Sequence, residues 1–555
     1  MHLFLYGPPG SGKSTHGRIL AERLGRAFVD LDQVIEANAG QTIPAIFAAE
    51  GEAGFRARES RALREAAATP QPCVISLGGG ALLNPGNRAL AEGGGQIVFL
   101  DADARTLEHR CARHPGARPL LDTGETARGD TRPPRGGSKP IAQLLAERAE
   151  HYASFKTRVT VSDAPPEDVA DALQAAAGRY RVSGMGPPYD VWIGVNLLPQ
   201  IGRGGGTLGA KTLVVGDSHT APLYASRMIA GERPREPGGA CRAETAAHHH
   251  LFTIPAGEAA KTISTVSAIW TALADAGIER TGGVVAVGGG VVGDITGFAA
   301  ATWMRGIRWI NVPTTLLAMV DSGIGGKTGV DHPAGKNLIG AFHPPSLVVA
   351  DTATLATLPT AEIRCGLAEV IKHAIIGDPG LLGFLPAFAC CAATPGHAPC
   401  PATQDAPWLA TFVARAMAVK IRIIRQDPYE QGSRAALNLG HTVGHALEKL
   451  SAFTLPHGHA VAIGTVAEAR LAEAAGLAAH GLADELAEQF ASVGLPTALP
   501  PDTSAARLRQ AMLLDKKTAD GNIRFALPAR LGDVRINQSV DETILQTLDT
   551  QRRPV

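Results

Sequence analysis

The chain has no surplus charge of either sign, no long apolar run and no patterned cysteines, and each absence closes off a class of function. Its 52 Lys and Arg are matched by 52 Asp and Glu. Binding along a nucleic-acid phosphate backbone requires a basic excess that is missing here, although local anion sites stay open. The seven Cys (Cys73, Cys111, Cys241, Cys365, Cys390, Cys391 and Cys400) are odd in number and spaced neither as a disulfide framework nor as a zinc ribbon. Met1–Leu5 lacks a basic leader and a long apolar core, and no uninterrupted apolar stretch reaches membrane-spanning length. The expectation is a soluble cytoplasmic protein with neither a nucleic acid nor a membrane as partner.

What is present is length and glycine. The 555 residues exceed one compact core and suggest about three to four folding units. A hydrophobic fraction of 45% excludes disorder across the chain. The 64 glycines gather in runs, a first sign of backbone shaped around phosphates. His2–Tyr6, Cys73–Leu77 and Gln96–Leu100 read as strands between helical patterns at Ser14–Leu24, Ile141–Phe155 and Pro166–Ala177, an α/β rhythm that predicts a parallel sheet with helices on both faces. A polar stretch, Leu121–Pro140, reads as a mobile loop. Residues 1–178 form the expected first domain and 179–188 a linker. A second α/β region covers 189–358, with strands Tyr189–Gly194, Thr212–Val215 and Gly283–Val287 and a helix at Ile263–Ala276. Residues 359–555 read as all helical: Ala361–Gly377, Trp408–Ile424, Thr442–Leu450 and Ala460–Ala475. Phe388–Ala406 reads as a loop insertion.

The first chemical signature is Gly7-Pro8-Pro9-Gly10-Ser11-Gly12-Lys13-Ser14, which fits G-x-x-x-x-G-K-[ST] after a strand and before a helix. Backbone N–H groups there can point at phosphate oxygens, Lys13 can neutralise the β/γ-phosphates, and Ser14 can ligate magnesium. Asp30 and Asp32, at alternate positions near a strand end, are expected on one side. Arg56, the run Gly78-Gly79-Gly80, Arg118 and Arg148 complete a set suited to a small hydroxylated carboxylate, because Arg pairs bidentately with a carboxylate and Asp accepts from a hydroxyl. Taken singly, the Asp residues read as a solvated turn and Arg148 as a surface charge; the ordered set outweighs that.

From Met1 to about Ala177 the chain resembles the shikimate kinases. The resemblance implies an ATP site on Gly10, Ser11, Gly12, Lys13, Ser14 and Thr15, with Arg110 packing on adenine and Arg118 contacting the transferring phosphate from the lid. It implies magnesium on Ser14 and Asp30, and shikimate on Asp32, Arg56, Gly79, Gly80 and Arg148. Lys13, Asp32 and Arg118 would be the catalytic groups, with Asp32 able to take the proton of the attacking hydroxyl. The lid is longer and more polar than the family usually shows, and Glu150 stands where a Pro often sits.

Further on, strand Gly283–Val287 runs into Gly288-Gly289-Gly290-Val291-Val292-Gly293-Asp294, a G-x-G-x-x-G turn that suits a pyrophosphate. Asp217, Glu258 and Lys261 are candidate ribose or phosphate contacts, and Thr314 and Thr315 end another strand. Lys327 and Lys336, set among glycines, read as an anion cradle. Glu369, Lys372 and His373 fall within one helical turn. Arg434, Asn438, His441 and His445 recur at spacings of four, three and four, so one helix face could carry them all. With His457, one Glu and two or three His make an open metal set, and the spacing alone leaves His445 as eligible as the others. Cys390, Cys391, His397 and Cys400 are too irregularly spaced for a metal site and are assigned to a mobile loop; His248-His249-His250 is likewise assigned to a loop.

Between about Tyr189 and Arg535 the motifs Gly366–His373, Leu437–Ala446 and His332–His343 resemble 3-dehydroquinate synthase. That resemblance implies zinc (or cobalt) on Glu369, His441 and His457, with His445 beside them as a proton carrier and Lys327 and Lys372 as catalytic groups. It implies NAD contacts from Asp217, Glu258, Lys261, Gly290, Val291, Val292, Gly293, Asp294, Thr314, Thr315, Asp321, Lys327 and Lys336. Arg305, Asn337, Arg434, Asn438 and Lys516, one of the Lys516-Lys517 pair, would hold the substrate, 3-deoxy-D-arabino-heptulosonate 7-phosphate. Together the resemblances imply a bifunctional enzyme acting on small molecules, with ATP and Mg2+ for one half, NAD and Zn2+ for the other, and a homodimer formed through the second half. Two alternatives compete: a related cyclase acting on another sugar phosphate, or one half serving as a nucleotide-binding regulatory module without chemistry.

Overall fold

The structure, a computed structural model, describes residues 1–112, 140–161, 164–201, 211–225, 228, 249–404, 406–513 and 523–551. The chain folds as two compact units, Met1–Arg181 and Val182–Val555. Arg118, the expected lid, Cys241, His248 and the Lys516-Lys517 pair lie outside the described residues.

The first unit is built on five parallel strands: β1 (His2–Tyr6), β2 (Ala27–Asp30), β3 (Cys73–Ser76), β4 (Gly95–Asp101) and β5 (Arg158–Thr160). Their order is β2-β3-β1-β4-β5. β1 is buried along its whole length, as a central parallel strand must be. Its alternation divides the core in two: Leu3 and Leu5 pack into a cluster with Leu20 and Leu173, while Phe4 and Tyr6 pack with Phe99 and Phe155 on the other face. The helix expected over Ile141–Phe155 is broken into Ile141–Glu147 and Ala149–Ala153. Arg148, at φ −107° and ψ 6°, is the hinge between them, and a continuous apolar pattern could not reveal it. Within the expected linker, Arg179–Val182 forms a strand whose Tyr180 and Val182 are buried.

In the second unit, parallel strands lie in the order Tyr189–Gly194, Leu347–Asp351, Arg308–Pro313, Gly283–Gly288, Thr212–Asp217 and His249–Ile254. His249 and His250, expected in a loop, instead open the last of these strands. Every residue of Gly283–Gly288 is buried, and helix Gly290–Thr302 starts directly from it. An antiparallel hairpin, Lys327–His332 with Gly335–Phe342, precedes the last-formed strand of the sheet. Helices then dominate, chiefly Thr360–Gly377, Trp408–Gln426, His441–Leu450 and His457–Ala474. A hairpin, Phe525–Arg530 with Asp533–Gln538, joins this part, which had read as wholly helical. Its short strands lie within a helical core, where Phe525 and Leu527 pack beside Leu447 and Leu471.

Two glycines set the approach of the helices that carry the histidines. A Cβ at Gly464 would lie 2.1 Å from the Gly440 carbonyl oxygen, and one at Gly444 would lie 3.0 Å from that of Ala460. Only residues without a side chain let these backbones touch.

Candidate functional sites

In the first unit the glycine-rich loop leaves β1, the middle strand, and ends in helix Lys13–Leu24. Gly10 (φ +86°) and Gly12 (φ +80°) hold left-handed conformations that open the loop's N–H groups toward one centre. Lys13 Nζ donates to the carbonyls of Gly7 (2.9 Å) and Pro8 (3.0 Å), so the ammonium lies folded over the loop it serves. The expected strand-end pairing of Asp30 and Asp32 does not occur, because β2 stops at Asp30. Asp30 is the N-cap of helix Leu31–Ala39, where its carboxylate accepts from the Asp32 N–H, and Asp32 lies in that helix's first turn.

The turn brings Asp32 to Gly78, where an added Cβ would lie 3.4 Å from its Oδ1. The Arg56 guanidinium lies over Gly80 and donates to Glu59 at 2.7 Å. Arg148 donates to the Gly79 carbonyl at 2.9 Å, and the Tyr152 hydroxyl donates to the same oxygen at 3.0 Å. Arg56, Arg148, Asp32, Gly79 and Gly80 are thus brought together. Arg110, on helix Ala104–Ala112, donates to the Val161 carbonyl at 3.3 Å.

Glu59 was not singled out from sequence, although its i,i+3 spacing from Arg56 was visible. It is 1% exposed, and burial raises its pKa against the pull of Arg56. It holds Arg56 over the glycine turn.

In the second unit, Gly289, Gly290, Gly293, Asp294, Ser322, Gly323 and Lys327 line a narrow pocket. Gly289 and Gly290 lie against Thr315 and Ser322, where side chains would collide. A narrow backbone turn at a helix N-terminus fits a pyrophosphate group. Beside it, Lys261 pairs with Asp294 at 2.7 Å and donates to Asn337 Oδ1 at 2.6 Å. Asn337, expected on the substrate, is therefore grouped with expected cofactor residues. Asp217 accepts from the His219 and Thr220 N–H groups of its own turn.

The expected two-lysine cradle does not form. The hairpin register pairs Lys327 with Phe342 and His332 with Gly335, so Lys327 and Lys336 stand about 15 Å apart at opposite ends of the hairpin. Lys327 pairs with Glu430, and Lys336 lies 3.8 Å from Glu258. Arg305 is exposed on a short 3-10 turn at φ +67°.

The Glu369 cluster is the most buried polar assembly here. Glu369, Lys372 and His373, on helix Thr360–Gly377, are 0%, 1% and 0% exposed. Glu369 Oε1 lies 3.5 Å from His441 Nε2 and 3.4 Å from His457 Nε2, and Lys372 pairs with Oε2. His441 Nδ1 is 3.0 Å from the Leu439 carbonyl. A carbonyl can only accept, so Nδ1 carries the proton and the Nε2 lone pair faces Glu369. His457 Nδ1 lies 3.5 Å from Glu448. A carboxylate oxygen and two ring nitrogens thus converge within 4.8 Å of one another, a donor set that fits a divalent ion with a position left for substrate. Burial opposes the charge on Glu369, but Lys372 and His441 hold its pKa well below the ordinary value. His445 stands next to the set, its ring centroid 5.2 Å from that of His441.

Arg434 to His445 do not share one helix. Ser433–Asn438 is a 3-10 turn, and Gly440, at φ +78°, redirects the chain before helix His441–Leu450. Two carboxylates explain how these pieces stay in place. Buried Glu468 accepts from the N–H groups of Gly440 (2.6 Å) and Val443 (3.1 Å), capping the His441 helix from a neighbouring one. Asp427 accepts from Gln431, Gly432 and Arg434 at 2.7–2.9 Å. Beyond the triad, Lys420 donates to Asp321 Oδ1 at 2.7 Å, and a carboxylate oxygen of Asp321 lies within 4.8 Å of ligand atoms of Glu369 and His373.

Comparison with known proteins followed the same division. The family model for shikimate kinase matches residues 9–177. Those for the 3-dehydroquinate synthase N-terminal and C-terminal domains match 251–365 and 366–518. A 3-dehydroquinate synthase of Xylella fastidiosa (strain M12) is 42% identical over 369 residues, covering 65% of this chain and 95% of the relative. One from Synechococcus sp. (strain ATCC 27144) is 44% identical over 339 residues, covering 61% and 88%. Among solved structures, 2-epi-5-epi-valiolone synthase of Streptomyces hygroscopicus, with NAD+ and Zn2+ bound, is 29% identical with a TM-score of 0.56, covering 66% of this chain and 98% of that one.

Proposed function

Since the chain belongs to the 3-dehydroquinate synthase family and carries a shikimate kinase domain ahead of that part, we propose which of its residues carry out the two reactions. The kinase part phosphorylates shikimate with ATP to give shikimate 3-phosphate. The synthase part converts 3-deoxy-D-arabino-heptulosonate 7-phosphate to 3-dehydroquinate and phosphate. A synthase identity above 40% over nearly the full length of the relatives, with a kinase domain of the same route, favours this over a cyclase of another sugar phosphate.

In the kinase half, Gly10 to Thr15 cradle the nucleotide phosphates, and Lys13 leaves the Gly7 and Pro8 carbonyls to neutralise the transferring group. Ser14 and Asp30 serve the ATP-bound magnesium. Arg56 and Arg148 bind the shikimate carboxylate, each preset by an acceptor, Glu59 or the Gly79 carbonyl. Asp32 accepts from the attacking hydroxyl. Arg118 is assigned to the transferring phosphate from the resemblance alone.

In the synthase half, Glu369, His441 and His457 hold the divalent ion, and the turn Gly288–Asp294 with Lys261 holds NAD. When bound, NAD supplies reversible hydride acceptance and the ion polarises substrate oxygens. The chain's own contribution is charge and position. Lys372 offsets Glu369 and can donate to a substrate oxygen in a site that excludes water. His445 carries a proton at the rim. Lys327, Arg434 and Asn438 bind the anionic substrate, with Glu430 between Lys327 and Asn438 as a removable counter-charge. The observation that carries the metal assignment is the fixed tautomer of His441 aimed at a buried carboxylate.

We further propose domains at 1–178, 189–358 and 359–555, a cytoplasmic location and a homodimer formed through the synthase half; no helix among the described residues is long and apolar enough to cross a membrane. Assaying the purified chain with shikimate and MgATP, and separately with the heptulosonate phosphate and NAD, tests both activities. Failure of either removes that half of the reading. Sedimentation analysis that found a monomer would remove the dimer.

A further inference from the structure

Of the segment 388–406, expected to be an open loop, the described residues 388–404 do not form one. Phe388 packs against Trp408 and Phe412, and Cys390–Ala393 is a helical turn. The segment is tied to the start of the helix that carries Glu369. Thr360 N–H donates to the Ala398 carbonyl (2.8 Å) and Ala361 N–H to that of Gly396 (2.9 Å), so the insertion satisfies two of the orphan donors of that helix. Arg364 donates to the carbonyls of Cys391 (2.9 Å) and Thr394 (2.8 Å).

This frame, which uses no sulfur, brings three sulfurs together. Cys391 and Cys400 are both 0% exposed and Cys390 is half-buried. The Sγ atoms of Cys391 and Cys400 are 2.7 Å apart, those of Cys390 and Cys400 are 4.0 Å apart, and all three lie within 4.8 Å of one another. We propose that Cys390, Cys391 and Cys400 form a second metal site, distinct from the Glu369 cluster, for one thiophilic d10 cation. Three thiols release three protons and bind as thiolates, giving a single net negative charge with a divalent ion, and Arg364 stands beside that charge.

Sulfurs on one such ion, each about 2.3 Å from it, lie about 3.8 Å apart. The Cys390–Cys400 separation already matches. Cys391 must swing out by about 1 Å, within the reach of side-chain rotation. The half-exposed Cys390 provides the entry path and leaves room for a water as fourth ligand. A segment with so little core of its own gains from such a clip.

The test is a Cd2+ titration of the reduced full-length chain, followed by thiolate-to-cadmium charge-transfer absorption. The Glu369 cluster contains no sulfur and cannot produce that band. The band is expected to saturate at one thiolate-bound cadmium per chain, with three fewer thiols open to a thiol reagent. Cys400→Ser should abolish it, and Cys73→Ser should leave it intact. Cys390→Ser, at the half-exposed position, should weaken cadmium binding on the order of ten-fold or more while the fold stays intact. Absence of the band with all thiols reduced would overturn the site, as would a band that survives both Cys390→Ser and Cys400→Ser. Two thiols missing before any cadmium is added, and recovered by a phosphine reductant, would show a Cys391–Cys400 disulfide instead.

Discussion

The two sites handle charge in opposite ways. In the kinase half Lys13 donates to backbone carbonyls at the mouth of a glycine loop, where the nucleotide phosphates are proposed to bind. In the synthase half, Glu369, Lys372 and His373 are removed from water, and Glu369 and Lys372 neutralise one another before any ligand binds. An open cradle needs only the right backbone. A buried charge cluster needs neighbours that hold each group in one orientation, since a lone buried charge is strongly unfavourable. The synthase site therefore depends on residues such as Glu448 and Glu468, which belong to no recognisable motif, and on Asp427.

That contrast can be broken at either end. The largest expected effect is Lys13→Ala. It should lower shikimate phosphorylation on the order of 10³-fold, the scale of one charged group acting on a transferring phosphoryl, and leave cyclisation unchanged. His441→Ala should do the reverse, with cyclisation falling at least about 100-fold together with metal content by elemental analysis. Parallel loss of both activities in either variant would refute independent sites. Glu448→Gln keeps shape but removes the carboxylate facing His457 Nδ1. Metal affinity should drop about 10-fold to 100-fold, read by competition with a chelator, with kcat partly restored at high Zn2+.

The smallest effect belongs to Asp427→Asn, which leaves backbone donors of the Gln431–Arg434 turn less well satisfied. A cost of about 1–3 kcal/mol is expected in denaturant unfolding. Desolvation opposes the charge on Asp427, but its three N–H partners outweigh it and lower its pKa. The stability it supplies is therefore complete above the unfolded value of about 4 and lost as pH falls through the lowered one. The variant should lack this acid-side dependence.

The same contrast explains how far the sequence could be read. Phosphate loops are local: Gly7–Ser14 and Gly288–Asp294 each lie on one strand–turn–helix, so spacing and context reveal them together. Glu369, His441 and His457 emerged because their motifs are specific and they do converge, yet the geometry inferred for Arg434, Asn438, His441 and His445 was wrong. A four-residue periodicity suggested one helix face, but the left-handed Gly440 divides a 3-10 turn from the helix that follows. Asp30 and Asp32 were misplaced for a related reason, since Asp30 caps a helix where strand alternation had been assumed. Glu468 reaches the His441 helix from 25 residues beyond Val443, and no local pattern carries such a contact. The cysteine segment was dismissed on its spacing, while the contacts that gather it come from Thr360, Ala361 and Arg364.

In the proposed assignment one polypeptide carries a cyclisation centre dependent on an ion at Glu369, His441 and His457, and a phosphorylation centre that does not share it. Stripping the purified chain with a chelator, removing the chelator, and assaying both reactions before and after adding back Zn2+ or Co2+ tests this directly. Cyclisation should disappear and return with the added ion, while phosphorylation supplied with Mg2+ alone proceeds at full rate throughout. Cyclisation that persists in the stripped chain, or phosphorylation that needs Zn2+ to recover, would contradict it.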